Sequence, residues 1–173
     1  DLCESLLDKH IKIKWECSGR LNYAKPEVLK MMKKSGCVFI YYGIEAMDDQ
    51  VLRNMKKGLT TEQIVRGIEA TLNSGISPSF NLMFGNIGDT RKTLERGVEF
   101  LLKYDDGAQF RTIRPVTPYP GSPLYYYAID QGLLKGVEDF YEVKHVNSDL
   151  VTVNFTQMSD MELYECLFAA NAT

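Results

Sequence analysis

The sequence predicts an α/β fold: a partial (β/α) barrel of the TIM type, with about four parallel strands, outer helices and an open half-barrel shape. Three observations predict it. Strand-length apolar runs alternate with amphipathic stretches of helix length, in the order α-β-α-β-α-β-α-β-α. Each strand-plus-helix unit takes roughly 35–40 residues, the spacing of a (β/α) barrel. The run 38–42 is apolar throughout, as expected of a strand covered on both faces. Four strands cannot close a barrel, so right-handed crossovers leave a curved sheet with two exposed edges.

The elements follow in order. Residues 1–10 read as the end of an amphipathic helix, with Leu2, Leu6 and Leu7 on one face. Ile11, Ile13, Trp15 and Cys17 alternate with Lys12, Lys14, Glu16 and Ser18, the period of a strand. Pro26 opens a helix whose apolar face carries Leu29, Met31 and Met32, and Gly36 ends it. After the strand 38–42 comes a short helix, about 48–56. Thr60 and Gln63 have capping-box spacing, opening a helix that runs to about Ser74 and stops at Gly75. The strand 79–84 puts Phe80, Leu82 and Phe84 on one face and Ser79, Asn81 and Met83 on the other. Asp89 or Thr90 then caps a helix to about Tyr104, and Gln109 to Val116 forms the fourth strand. Residues 122–131 are helical, ended by Gly132, and Ser159 with Glu162 caps a last helix.

Composition narrows the function. The 173 residues are the size of one domain, and 45% apolar with 25% charged residues describes a globular chain. A net charge of −3 lacks the basic excess that neutralises phosphates, which argues against a nucleic-acid partner. No apolar run approaches the roughly 18–20 residues of a membrane span. Cys3, Cys17, Cys37 and Cys166 are scattered, with no pair at metal-binding spacing, and read as reduced thiols of a cytoplasmic protein. The chain opens on Asp1 inside a helix with no preceding strand, which reads as a piece of a larger protein.

In such barrels functional groups collect at the C-terminal ends of the strands. Glu45 lies just past the second strand, Asn81 sits on the lumen face of the third, and Gly85 ends that strand where a ligand can approach the backbone. Read alone, Glu45 is also a helix cap or a surface charge, Asn81 a partner for nearby backbone, and Lys56 and Lys57 solvated charges at a helix end.

Several such signals occur in order: Ser35-Gly36-Cys37, Gly43-Ile44-Glu45, Val51-Leu52, Lys57-Gly58, Ser74-Gly75-Ile76, Phe84-Gly85, and Thr117-Pro118-Tyr119-Pro120-Gly121-Ser122. Over residues 11–135 this series resembles the second half of the catalytic barrel of radical S-adenosylmethionine (SAM) enzymes. Within them it is most similar to the cobalamin-binding type related to anaerobic magnesium-protoporphyrin monomethyl ester cyclases, with coproporphyrinogen oxidase-like enzymes as the next resemblance.

The resemblance implies a (β/α)6 partial-barrel domain of which residues 1–173 are the C-terminal part, 136–173 reading as an extension of it. It implies SAM as a cofactor, a [4Fe–4S] cluster in the full-length parent, and cobalamin carried by an N-terminal domain. The reaction implied is reductive cleavage of SAM to a 5′-deoxyadenosyl radical, for oxidation of a small-molecule substrate or group transfer. An electron donor such as flavodoxin or ferredoxin would serve it. The position of Glu45 contacts the ribose or the methionyl part of SAM, and that of Lys57 its carboxylate. Asn81 takes the position that binds the ribose hydroxyls, Met83 and Gly85 lie beside the adenine, and Ser18 faces the methionyl group. Arg20, Arg111 and Arg114 are candidates to anchor an acidic substrate or a phosphate, or to form structural ion pairs.

Two departures stand out. The loop after the third strand reads Gly85-Asn86-Ile87-Gly88-Asp89-Thr90, with Ile87 where the family has proline, while Gly88 and the acid are kept. The cysteine motif that binds the cluster is absent. Rival readings are a (β/α)-barrel hydrolase or aldolase with Glu45 as general base, and a non-catalytic module using Tyr125-Tyr126-Tyr127 as a partner surface. With no cluster ligands, these 173 residues alone are expected to leave SAM intact; 5′-deoxyadenosine formed by this chain alone, read by mass spectrometry, would contradict that.

Overall fold

The computed structural model describes residues 2–108 and 112–172. Four strands, β1 (Trp15–Gly19), β2 (Cys37–Glu45), β3 (Ser77–Phe84) and β4 (Ile113–Pro115), form one sheet in the order β1-β2-β3-β4. All three pairings are parallel. The helices are α1 (Leu2–Asp8), α2 (Pro26–Lys34), α3 (Asp49–Asn54), α4 (Thr61–Asn73), α5 (Arg91–Tyr104), α6 (Pro123–Asp130) and α7 (Asp160–Asn171). This is the expected α/β half-barrel.

Alternation in the strands sorts the two faces. Ile40, Tyr42 and Ile44 of β2 and Phe80, Leu82 and Phe84 of β3 are buried in one cluster with Leu29 of α2, Ile64 and Ile68 of α4 and Leu94 and Phe100 of α5. The Tyr42 hydroxyl does not go unpaired in that layer: it meets Thr71 Oγ1 at 3.1 Å. The opposite face, carrying Tyr41, Glu45, Asn81 and Met83, lines a cleft.

The helix ends follow their caps. Thr60 and Gln63 exchange both arms of the capping box, at 3.3 and 3.0 Å. Ser159 and Glu162 do the same for α7. Thr90, not Asp89, caps α5. Asp89 instead turns inward and accepts from the Gly85 and Asn86 backbone N–H groups and the Thr93 hydroxyl, so the turn survives without its proline.

Three expectations change. The first strand begins at Trp15, not Ile11: β2 starts at Cys37, which pairs with Trp15, so residues 11–14 lack a neighbouring strand. Ile11 and Ile13 are accordingly 45% and 47% exposed. In α1 only Leu6 is buried, while Leu2 and Leu7 stay exposed. The fourth strand spans only Ile113–Pro115 among the described residues; Gln109 to Arg111, including the candidate anchor Arg111, lie outside them. Its outer edge is covered at one point, where Asn171 of α7 accepts from Ile113 N (2.8 Å) and donates to Ile113 O (2.9 Å), imitating a strand.

The stretch 136–158 packs beside this sheet. Phe140 is fully buried with Val116, Tyr125, Leu134, Val153 and Phe155, and His145 stacks on it at 4.8 Å. Tyr125 faces that core while Tyr126 and Tyr127 are exposed, as expected of a helix that divides the run between core and surface.

Asp48 caps α3 through the N–H groups of Gln50 and Val51 and pairs with Arg96 of α5. Partial burial alone would raise its pKa, but those N–H groups and Arg96 together hold it below its ordinary 3.8. A lowered folded pKa gives stability that is present above the unfolded value and lost as pH falls through the folded one. Asp48→Asn keeps a capping oxygen but loses the charge that faces Arg96 and the helix N-terminus, and is therefore expected to cost about 0.5–1 kcal/mol near neutral pH, the deficit shrinking below pH 3.8 in denaturant titrations. A deficit independent of pH would contradict this.

Candidate functional site

The cleft lies on the lumen face at the C-terminal ends of the strands and measures about 650 Å³, inside the usual range for small-molecule sites. Its floor is built by register. Ser18 pairs with Tyr41 and Tyr41 with Ser79; one step on, Gly43 pairs with Asn81; at the rim Met83 pairs with Arg114. Tyr41, Asn81, Met83 and Arg114 project into the same space because parallel strands in register point equivalent residues the same way.

At the end of β2 the register breaks. Gly43 faces Asn81 but Glu45 faces Leu82, so Ile44 is an extra residue, a bulge that re-aims the end of the strand. Glu45 then adopts φ of 72°, left-handed backbone that an L side chain avoids at about 1–2 kcal/mol. Its carboxylate folds back over Gly43 and meets Lys57 Nζ at 2.7 Å, with side-chain exposures of 16% for Glu45 and 24% for Lys57. A Cβ at Gly43 would lie 2.6 Å from Glu45 Oε1 and 3.2 Å from Lys57 Nζ. The glycine is what makes room for the pair.

Lys57 reaches Glu45 because of how α3 stops. The N–H of Lys56 bonds Arg53 O and that of Lys57 bonds Leu52 O, both 3.0 Å, with Lys56 left-handed at φ 53°. This is the Schellman closure, with lysine where glycine is usual. It sends Lys57 back toward the strand end. The short α3 is itself pinned: Thr61 N donates to Asp49 at 2.7 Å, and Asn54 Nδ2 donates to Ile87 O at 2.8 Å, tying it to the loop after β3.

Of the residues expected from the sequence, Glu45, Asn81 and Met83 line the cleft together, and Lys57 joins them through Glu45. Ser18 shares their face but lies outside the cleft, exposed on β1. Gly85 is buried behind the rim, its N–H held by Asp89. Burial raises the Asp89 carboxyl above its ordinary value against those hydrogen bonds.

The sequence reading missed Tyr41, two residues before Gly43 on the same face, whose hydroxyl donates to Glu16 at 3.0 Å; period-two counting back from Glu45 would have found it. It also missed Ser148, which lines the cleft and bonds the Tyr119 hydroxyl at 2.8 Å. No local signal marks that contact.

Neither histidine lines the cleft. Glu45 thus has no acid–base partner of that kind, and the hydrolase or aldolase reading is not favoured. Cys37 and Cys17 belong to the helix-side core, and burial, with Cys17 beside it, pushes the Cys37 thiol up to about 11. Among the described residues, no three histidine, cysteine or acidic groups come together to hold a metal ion.

A parallel α/β half-barrel with a strained carboxylate at a strand end and a ligand-sized cleft above the sheet belongs to the class of (β/α)-barrel ligand sites. A family profile described as the radical SAM superfamily matches residues 1–101. The chain belongs to that superfamily. An uncharacterized methyltransferase of Pyrococcus horikoshii is 30% identical over 161 residues, covering 88% of this chain and 34% of that protein. The anaerobic magnesium-protoporphyrin IX monomethyl ester cyclase of Rubrivivax gelatinosus is 24% identical over 127 residues, 72% of this chain and 22% of that one. The radical SAM methyltransferase TsrM from Kitasatospora setae, solved with cobalamin and a [4Fe–4S] cluster, has the same fold at a TM-score of 0.63 and 18% identity, over 75% of this chain and 25% of TsrM. The chain thus spans about a third of the first relative and less of the others.

If the Glu45 backbone is strained for the sake of its carboxylate, Glu45→Gly is expected to be about 1 kcal/mol more stable than Glu45→Ala. Both lose the ion pair, so only the left-handed cost separates them. Equal denaturation midpoints would contradict the strain.

Proposed function

We propose that these residues form the SAM-holding part of a radical SAM enzyme of the methyltransferase type. The observation that carries the reading is Glu45, a left-handed residue whose carboxylate is held over Gly43 and beside Asn81 in the cleft. The donor set suits SAM. The Glu45 carboxylate accepts from ribose hydroxyls or from the methionyl amino group, and the Asn81 amide both donates to and accepts from the same hydroxyls. Lys57, already paired, balances Glu45 and faces the SAM carboxylate. Met83 offers an apolar, polarisable contact to the adenine, with the Gly85 backbone behind it. Ser18 extends the same face toward the methionyl end.

When bound in the complete enzyme, SAM supplies a methyl group or, after one-electron reduction, a 5′-deoxyadenosyl radical. The chain's own part is to bind, orient and shield. The [4Fe–4S] cluster that the family implies does not fit the residues present: Cys17 and Cys37 face the helices, and Cys166 lies in α7 against the core. Cobalamin, a flavodoxin- or ferredoxin-type donor, a small-molecule substrate and a cytoplasmic setting are proposed for the whole protein. The Pyrococcus and Rubrivivax relatives support the methyltransferase or cyclase class. No described helix is long and apolar enough to cross a membrane.

Titration calorimetry of the full-length protein with SAM tests the assignment. Glu45→Gln is expected to weaken SAM about tenfold or more, since a charge-assisted bond contributes about 1.5–3 kcal/mol, and Asn81→Ala several-fold, since a neutral bond contributes about 0.5–1.5 kcal/mol. Gly43→Ala should do likewise by displacing the carboxylate, while leaving the fold intact. Unchanged affinity in all three would overturn the reading.

A further inference from the structure

The β4 end of the cleft has a different chemistry from the β2 end. At β2 the one carboxylate is already neutralised by Lys57. At β4, two strands and so about 10 Å away, Arg114 projects from the lumen face, and Thr112, Thr117, Tyr119 and Ser148 line the same end with hydroxyls. Among the described residues, the only charged partner of Arg114 is Asp149, 3.5 Å from Nε. That pair is loose: its side chains are 61% and 73% exposed, and such contacts contribute about 0–1 kcal/mol. Its position is nonetheless informative. The chain sets a carboxylate of its own against the guanidinium, on the Nε edge, where an incoming acid would dock.

The wall beside that pair is built. Tyr119 is fixed by its bond to Ser148 and by ring contacts with Phe140 and His145 at 5.8 and 5.4 Å. Phe140 is fully buried, so this wall rests on the second core and not on a loop alone. A rigid fork of N–H donors with hydroxyls around it matches a planar carboxylate, which takes two parallel bonds from arginine.

We infer that the β4 end of the cleft is a carboxylate subsite, with Arg114 as the anchor of an acidic substrate and Asp149 as its internal competitor. Its description as the substrate end rests on the proposal that SAM occupies the Glu45 end. The anion site itself does not. A substrate held here by its acid group extends from Arg114 toward the SAM position.

The test uses the full-length protein and two probes that differ in one group, 3-phenylpropionate and 3-phenylpropionamide, titrated by ligand-observed NMR, with SAM titrated separately. The acid is expected to bind about tenfold more tightly than the amide. Arg114→Gln should abolish that difference, and Arg114→Lys should restore it only in part, since lysine lacks the fork. Asp149→Asn should tighten the acid by removing its competitor. Glu45→Gln should weaken SAM and leave the acid–amide difference untouched. The subsite is overturned if the acid fails to bind, if acid and amide bind alike, or if Arg114→Gln keeps the difference. A protein that ignores SAM while still discriminating the acid through Arg114 would retire the SAM assignment and leave the subsite standing.

Discussion

The contact between Glu45 and Lys57 across Gly43 organises the strand-end region. It requires a bulge at Ile44, a glycine with no Cβ beneath the carboxylate, and a helix that stops with a left-handed lysine so the next one turns back. Each is locally unfavourable. Left-handed backbone at two residues with side chains costs roughly 1–2 kcal/mol apiece, more than a part-exposed ion pair of about 0–1 kcal/mol returns. The arrangement persists because α3 is held from several sides: Asp48 by Arg96, Asp49 by Thr61, Asn54 by Ile87. Strain kept at one strand end by tertiary contacts elsewhere is characteristic of binding sites.

Those contacts also join neighbouring loops into one body. Asn54 spans from α3 to the turn after β3, and that turn is closed from inside by Asp89. The residues that would touch a ligand at β2 and at β3 therefore do not move independently. The β4 side is built separately, on the second core around Phe140. The cleft is thus a charge-balanced, strained half beside a donor-rich half. A cofactor and a substrate of opposite demands would suit such a division.

Much of this was legible in the sequence where the signal is local. The capping pairs Thr60/Gln63 and Ser159/Glu162 sit three residues apart and close as expected. The alternation of Phe80, Leu82 and Phe84 with Asn81 and Met83 placed Asn81 on the lumen face, because a parallel strand must bury its large apolar side against helices. Other features depend on distant partners. The alternation from Ile11 to Cys17 runs past the true strand start, since only the onset of β2 at Cys37 decides how much of it can pair. That Lys57 turns to Glu45 follows from a helix ending with no glycine in its left-handed position. Tyr119 and Ser148 meet across 29 residues of chain, a contact no periodicity encodes.

We propose that the strained carboxylate of Glu45 is the anchor for SAM. The most direct measurement is a crystal structure of the full-length protein with SAM bound. Glu45 is expected to remain left-handed, with a carboxylate oxygen within about 2.6–3.2 Å of a ribose hydroxyl or the methionyl nitrogen, and Asn81 on the same ligand. SAM seated elsewhere, with Glu45 bonded to Lys57 alone, would contradict it.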